Sequence, residues 1–323
     1  MKAYLDILQN VLDNGEWSDN RTGIKTLRIP TGATFEHNME NGFPLITTKK
    51  MGLKNIATEL EFFIHGITDK KWLQDHKCHI WDEWSNPKKW TPLYNELLSV
   101  VQERGYDIKD PNTTQPLLNY SMGIERDLGP VYGWQWRHFG GTYKFNNKEI
   151  DKNPTDNVAH KSSAGVDQLA RAIKEIKENP TNRRIIVNAW NPADMDQMAL
   201  PPCHIMHQVL VHNGKLHLIW TQRSCDMFLG IPYNIASYAL LLLLYAKEAG
   251  LKPGVLKGEL HDVHIYENHI DQVKTQLQRD PKPLPTVEIP NTHWTGMLNW
   301  HANNGFLLKD YICHEKLTGE VAR

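Results

Sequence analysis

The amino-acid sequence predicts an α+β fold, one large mixed β-sheet flanked by helices, and three observations carry that prediction. Strand-like runs stand before and after the helical runs instead of alternating with them, which separates the chain from regular β-α-β architectures. No glycine-rich phosphate loop joins a strand-like run to a helix, so nucleotide binding cannot come from a dinucleotide-binding turn. In the middle of the chain, residues 208–211 and 216–220 flank Asn213-Gly214, a strong hairpin signal that calls for antiparallel strands.

The elements follow in order. Tyr4, Leu8, Val11 and Leu12 share one helical face, and Asn14-Gly15 predicts a left-handed helix end. A loop with Asn20-Arg21-Thr22-Gly23 comes next, then extended segments over residues 27–29 and 32–35. Residues 54–65 carry Ile56, Leu60, Phe63 and Ile64 as an apolar stripe, which makes a helix and draws Glu59 toward its buried edge. Between Trp84 and Gly129, proline and asparagine surround one short amphipathic stretch, residues 93–101; residues 85–127 are expected to be a surface insertion in a single domain spanning 1–323. The polar run 144–163 is expected to be a second loop. Val166, Leu169, Ala170, Ile173 and Ile176 mark an amphipathic helix ending at Asn179-Pro180, and residues 184–190 read as a strand. The hairpin then delivers Gln222-Arg223-Ser224 at the far end of its second strand. The longest apolar stretch, residues 235–246, reads as a buried helix too short to span a bilayer.

Composition narrows the function. A chain of 323 residues with a formal net charge of -1 has no global attraction for nucleic acid or an anionic membrane, so any phosphate binding is local and the substrate is a small anion. Cys78, Cys203, Cys225 and Cys313 show no metal-ligand spacing, and the first residues lack the apolar core of a signal peptide; a reducing, cytoplasmic setting is expected.

Chemistry gathers in one stretch. Pro201-Pro202-Cys203-His204 is followed by Gln222-Arg223-Ser224-Cys225-Asp226, by Asn234, and by Asp262-Val263-His264-Ile265-Tyr266. A lone cysteine is most often a small buried hydrophobe. Here a cluster of guanidinium groups that holds a phosphate would also favour the thiolate, so phosphate pocket and nucleophile support each other. Asn234 offers donor and acceptor in one plane, which suits uracil N3 and O4, although an asparagine before a buried helix is also a common N-cap. His264 and Tyr266, two apart on a strand, face one side and can reach a sugar hydroxyl. His204 is either an ordinary hydrogen-bonded histidine or a residue that tunes the site.

Counting from Cys203, Asp226 lies at +23, Asn234 at +31, His264 at +61 and Tyr266 at +63. In this order and spacing the chain resembles the thymidylate synthase family, folate-dependent enzymes that methylate dUMP at C5, from about Arg21 to its last residues. The resemblance implies the thymidylate synthase fold, with two subunits packed sheet against sheet, and 5,10-methylenetetrahydrofolate as one-carbon and hydride donor without a metal. It makes Cys203 the nucleophile and Glu59 a general acid/base relay through water, with Tyr132, His204, Asp226 and Asn234 beside the reacting groups. Arg21, Arg223, Ser224 and Gln222 would hold the nucleotide, Arg183 and Arg184 would reach the partner subunit's phosphate site, and His264 and Tyr266 would bind the sugar. Lys49, Trp81, Trp84, Asp226, Leu229, Gly230, Tyr233 and Ala322 would meet the folate.

The chain departs from the family pattern at several points. It ends Val321-Ala322-Arg323 where a small aliphatic residue is usual, His261 stands where glycine is usual, Asn188 replaces a serine, and Glu61 places a charge in the Glu59 helix. These changes are expected to crowd the ligand-bearing elements. Two alternatives stay open: a dUMP hydroxymethylase, in which water and not hydride meets the exocyclic methylene, and a non-catalytic nucleotide- or RNA-binding protein on the same fold.

Overall fold

A computed structural model describes residues 1–145 and 165–321. In chain order the elements are α1 (Lys2–Asn14), β1 (Glu16–Ser18), β2 (Thr26–Ile29), β3 (Ala33–Asn38), α2 (Leu53–Ile64), α3 (Lys70–Asp75), α4 (Pro87–Glu103), α5 (Pro111–Ile124) and α6 (Tyr132–His138). After these come α7 (Gln168–Glu178), β4 (Ile186–Asn188), β5 (His204–His212), β6 (Lys215–Gln222), β7 (Cys225–Asp226), α8 (Gly230–Ala249), β8 (Lys252–Leu260), β9 (Val263–Tyr266), α9 (Ile270–Leu277), β10 (Thr286–Glu288) and β11 (Leu307–Lys309). They fall into two compact units, one of residues 1–60, 170–187 and 203–323, the other of residues 61–169 and 188–202. No helix among the described residues is long and apolar enough to cross a membrane.

The first unit is built on a five-stranded mixed sheet of order β3-β8-β6-β5-β4, in which β8 and β6 run parallel and β3/β8 and β6/β5 are antiparallel. A four-stranded sheet, β1-β2-β9-β7, and the β10-β11 pair accompany it, so the expected single sheet is in fact three. The β5–β6 hairpin forms where the sequence predicts it. Asn213 and Gly214 both have positive φ, 49° and 72°, the pair of left-handed residues that lets a two-residue turn follow the twist of its strands. Along β6, Leu216, Leu218, Trp220 and Gln222 are buried while the residues between them are half-exposed, the period of two that one covered face imposes. The cover is α8, whose 20 residues are apolar on almost every side and which ends at Gly250 in the left-handed conformation. Trp220 stacks flat on Tyr238 of α8 at 5.3 Å between ring centroids. A Cβ at Gly258 would lie 2.5 Å from the Trp220 ring, so the neighbouring strand keeps glycine where the indole passes.

The first helix departs from its expected ending. Gly15 follows α1 with φ -72° and ψ 154°, extended and not left-handed. Glycine is required for a different reason: a Cβ there would meet the Val11 carbonyl oxygen at 2.5 Å and the Leu27 side chain at 2.9 Å, because the chain turns straight from α1 into β1 beside β2.

The second unit has an aromatic core. Phe63 packs on Tyr132 at 4.8 Å, on Trp136 at 5.8 Å and on Trp81 at 6.3 Å, and Phe62 packs on Trp72 at 6.0 Å. The inserted stretch is more ordered than its composition suggests. It forms two helices packed on each other, α4 and α5, instead of one short helix. Each starts on a side-chain cap with proline in its first turn, Asn86 accepting from Lys88 N–H and Asp110 from Asn112 N–H. A further proline inside each helix, Pro92 and Pro116, hid the second helix from the sequence pattern. No residue of α4 is buried, while Ser85, Asn86, Ser121 and Asp127 of the same stretch are. The second expected loop, 144–163, lies almost wholly outside the described residues.

Candidate active site

Cys203 directly precedes β5 and is half-buried, while Cys78 and Cys225 are fully buried. Its carbonyl accepts from the Arg223 N–H at 2.8 Å, so backbone pairing continues past the end of the hairpin strands to Cys203 on one side and Arg223 on the other. Cys225 is no rival nucleophile. Burial first, then Cys203, Asp262 and Asp226, push its thiol far above the usual cysteine range and keep it protonated.

β7 and β9 carry the next residues side by side. Cys225 N–H donates to Asp262 O at 3.2 Å and Met227 N–H to His264 O at 2.9 Å, which sets Asp226 level with His264. His264 is buried, its Nδ1 lies 2.8 Å from the Asp262 carbonyl, and its ring meets Tyr266 edge-on at 5.2 Å. Asp262 in turn accepts from Arg28 Nε at 2.8 Å. Burial raises the Tyr266 pKa most, Asp226 adds to the rise, Arg21 opposes it, and Cys203 and Asp262 add further. Arg21 in the loop after β1, Cys203 before β5, Asp226 on β7 and Asp262 before β9 are therefore close enough to act electrostatically on one hydroxyl.

Asn234 lies in the second turn of α8, not at its cap, which removes the N-cap alternative. Trp220 Nε1 donates to Gln222 Oε1 at 3.2 Å, and Gln222 Nε2 donates to Ser224 O at 3.0 Å and to Asn234 Oδ1 at 3.1 Å. The indole thus orients one amide and that amide orients the next, with the Asn234 NH2 as the outward donor. His204 faces the covered side of the sheet. It is buried, its Nδ1 is 2.8 Å from the Tyr238 hydroxyl, and burial lowers its pKa to about 3, so the ring is neutral.

The remaining arginines are exposed. Arg21 rides a turn in which Asn20 Oδ1 accepts from both the N–H and the hydroxyl of Thr22, at 2.8 and 2.6 Å. Arg183 and Arg184 lead into β4 at the edge of the five-stranded sheet, tied there by Gln208 Nε2 to the Arg183 carbonyl at 2.8 Å.

Around the start of α8, Asp226 Oδ1 accepts from Phe228 N–H at 3.0 Å and Leu229 N–H at 3.1 Å, and the site of a Gly230 Cβ would be flanked by Asp226 and Asn234 at 3.6 and 3.8 Å. Tyr233 is half-buried in the same turn. The Lys49 ammonium donates to the Phe228 carbonyl and sits 3.8 Å over the Phe228 ring, so it points inward and not to solvent. Burial lowers its pKa to about 8 against the pull of Asp226. Glu59 is half-buried on α2. Within the second unit Trp81 is buried edge-on to Tyr132 at 6.1 Å, Tyr132 opens α6, and Trp84 N–H donates to Trp81 O at 3.1 Å. Ala322 lies outside the described residues.

The profile of the thymidylate synthase family matches residues 2–323. The chain belongs to the thymidylate synthase family. It is 40% identical to the thymidylate synthase of Mycoplasma pneumoniae over the whole of both chains, and 44% identical to that of Mycoplasma genitalium over 90% of this chain and 89% of the relative. It is 39% identical to a bifunctional dihydrofolate reductase-thymidylate synthase of Paramecium tetraurelia, of which it spans 60%.

Against this family membership, the departures in sequence prove local. His261 is exposed, and the tight position beneath it belongs to Gly32, where a Cβ would fall 1.9 Å from the Leu260 carbonyl oxygen. Asn188 closes its own turn, accepting from Trp190 N–H at 2.9 Å. Glu61 is buried and lies 3.9 Å from His65 Nδ1. Near the tail, His269 Nε2 lies 2.8 Å from the Glu320 carbonyl, and Gly319 is packed against the same ring. Sequence reading of this thymidylate synthase family member missed Tyr238, which holds His204. Its only signal is a phenol one helical turn beyond Asn234 in an apolar run.

Proposed function

We propose that the chain catalyses the reductive methylation of dUMP to dTMP with 5,10-methylenetetrahydrofolate. The observation that carries this is the oriented Trp220–Gln222–Asn234 chain, reached from the same hairpin end as Cys203 and Arg223. The Asn234 NH2 donates to uracil O4 and its Oδ1 accepts from N3–H; cytosine would meet it with donor against donor. Cys203 Sγ adds to C6, and the electron pair moves through C5 onto O4, where the Asn234 donor stabilises it. Arg21, Arg223 and Ser224 take the phosphate, and His264 and Tyr266 the sugar hydroxyl. Glu59 relays protons through water at O4 and the departing amine; loss of the C5 proton expels that amine, and the Cys203 sulfur leaves C6 once the methylene on C5 has been reduced.

The folate fits the residues present. Asp226 commits Oδ1 to the backbone and keeps its other oxygen for a pterin N–H, while Leu229, Gly230 and Tyr233 line the start of α8. By family resemblance Trp81, Trp84, Tyr132 and Ala322 complete the folate contacts; Lys49, whose ammonium turns inward to Phe228, would have to swing out to join them. When bound, methylenetetrahydrofolate supplies the one-carbon unit and then hydride. The reaction needs no metal and no nucleic acid. We further propose that both units form one catalytic domain, that the enzyme is cytoplasmic, and that it is a homodimer through the five-stranded sheet. Half-exposed apolar residues such as Ile205, Leu210 and Ile219 support the dimer, in which the exposed Arg183 and Arg184 beside the edge strand β4 would reach the partner's phosphate site.

Intact-mass analysis with 5-fluoro-dUMP and methylenetetrahydrofolate tests the nucleophile. One covalent adduct per chain in wild type, absent in Cys203→Ala, is expected. An adduct that persists in the variant removes the assignment.

A further inference from the structure

Lys70 is the first residue of α3, is 1% exposed, and is used by no step above. A buried ammonium is costly, and a cation at a helix N-terminus is opposed by the helix dipole as well. Its three N–H donors are all matched: Nζ donates to the carbonyls of Asp82 at 3.0 Å, Trp84 at 3.1 Å and Met122 at 2.8 Å. The first two belong to the turn that carries Trp81 and Trp84. The third is in the last turn of α5, where helix carbonyls lose their own partners. Ser85 Oγ also donates to Met122 O, at 2.8 Å.

The two ends of the insertion converge at the same place. Asn86 N–H donates to Asp127 O at 2.7 Å and Asn86 Nδ2 to Asp127 Oδ2 at 3.1 Å, while Lys70 N–H donates to Arg126 O at 2.9 Å. Arg126 pairs with Asp69 through its guanidinium. Burial lowers the Lys70 pKa to about 8, and Asp82, Glu125 and Asp69 pull the other way. An apolar side chain would fill this space without a desolvation cost but could not join three carbonyls from two segments.

We infer that Lys70 is a positioning residue that couples the α4–α5 insertion to the Trp81–Trp84 turn, so that the insertion sets folate affinity and not nucleotide affinity. The inference rests on the proposed folate role of that turn. Lys70→Met should raise the KM for methylenetetrahydrofolate about tenfold, the loss of a few charge-assisted hydrogen bonds, with kcat at saturating folate and dUMP affinity within about twofold of wild type. Ser85→Ala, which removes the second donor to Met122, should move the same KM in the same direction by about twofold. An unchanged folate KM in Lys70→Met, or an equal loss for both ligands, overturns the inference.

Hydrogen exchange decides it without reference to activity and for a variant of low stability. In wild type, adding 5-fluoro-dUMP and methylenetetrahydrofolate should slow exchange in residues 118–126 together with residues 79–85. Lys70→Met without ligands should speed exchange in both segments relative to wild type. Exchange that changes in one segment alone overturns the coupling. A wild-type protein that forms no dTMP would instead overturn the functional reading and leave the exchange result standing.

Discussion

The hairpin end of the first unit and the α4–α5 insertion of the second solve the same problem, placing a few polar groups, by opposite means. At the hairpin end the polar groups stand at strand termini backed by a sealed layer: Trp220 of β6 and Tyr238 and Ile235 of α8 have at most 3% of their surface exposed. In the insertion no residue of α4 is buried, and order comes from caps and from a polar knot at its base, Lys70, Asp69 and Asp127. The first region gives rigidity to groups that meet reacting atoms. In the second, Lys70 is the point where the state of the helix pair would be felt.

The largest contrast should appear in stability. Trp220→Ala removes a stacked, fully buried indole and should cost about 3–5 kcal/mol in urea unfolding. Tyr106→Ser, at an insertion residue 60% exposed, should stay within about 0.5 kcal/mol. Similar costs at the two positions would break the comparison.

Substrate choice sharpens it next. Asn234→Asp should weaken dUMP use by about 100-fold and admit dCMP, because a carboxylate accepts from the cytosine amino group and repels the uracil carbonyl. Competition between the two nucleotides measures this, and a wild type that prefers dCMP would contradict the oriented-amide account.

Acid gives a smaller effect. Burial lowers the pKa values of His204 and His207 from the usual histidine value of 6.5 to about 3. Below 6.5 the unfolded chain takes up protons that the native chain refuses, so these residues cost nothing at pH 7 and progressively destabilise the fold as pH falls toward 3. At pH 5 each should cost about 2 kcal/mol. Urea unfolding at pH 7 and pH 5 should show a drop that shrinks in His207→Gln; an equal drop in both proteins would refute the assignment.

Much of this was legible in the sequence because local pattern and tertiary role coincide. The β5–β6 turn carries its information within a few residues, the α8 apolar run within one helix, and the motifs from Cys203 to Tyr266 in a spacing of 63 residues. What was not legible depends on distant partners. Gly15 needs no side chain because Leu27 is in the way, and His204 is neutral because it is buried, with its Nδ1 2.8 Å from the Tyr238 hydroxyl. Lys70 looks like a surface lysine until Met122, far along the chain, supplies its third acceptor. The second helix of the insertion was hidden by Pro116, whose missing N–H argues against a helix that its cap and packing nonetheless stabilise.

The central claim is that the methylene carried to C5 is reduced and not hydrated. The direct measurement is to incubate the protein with dUMP and methylenetetrahydrofolate, follow absorbance in the dihydrofolate band, and identify the nucleotide product by mass. Dihydrofolate should appear in step with dTMP; consumption of dUMP to 5-hydroxymethyl-dUMP without that absorbance rise would contradict the account.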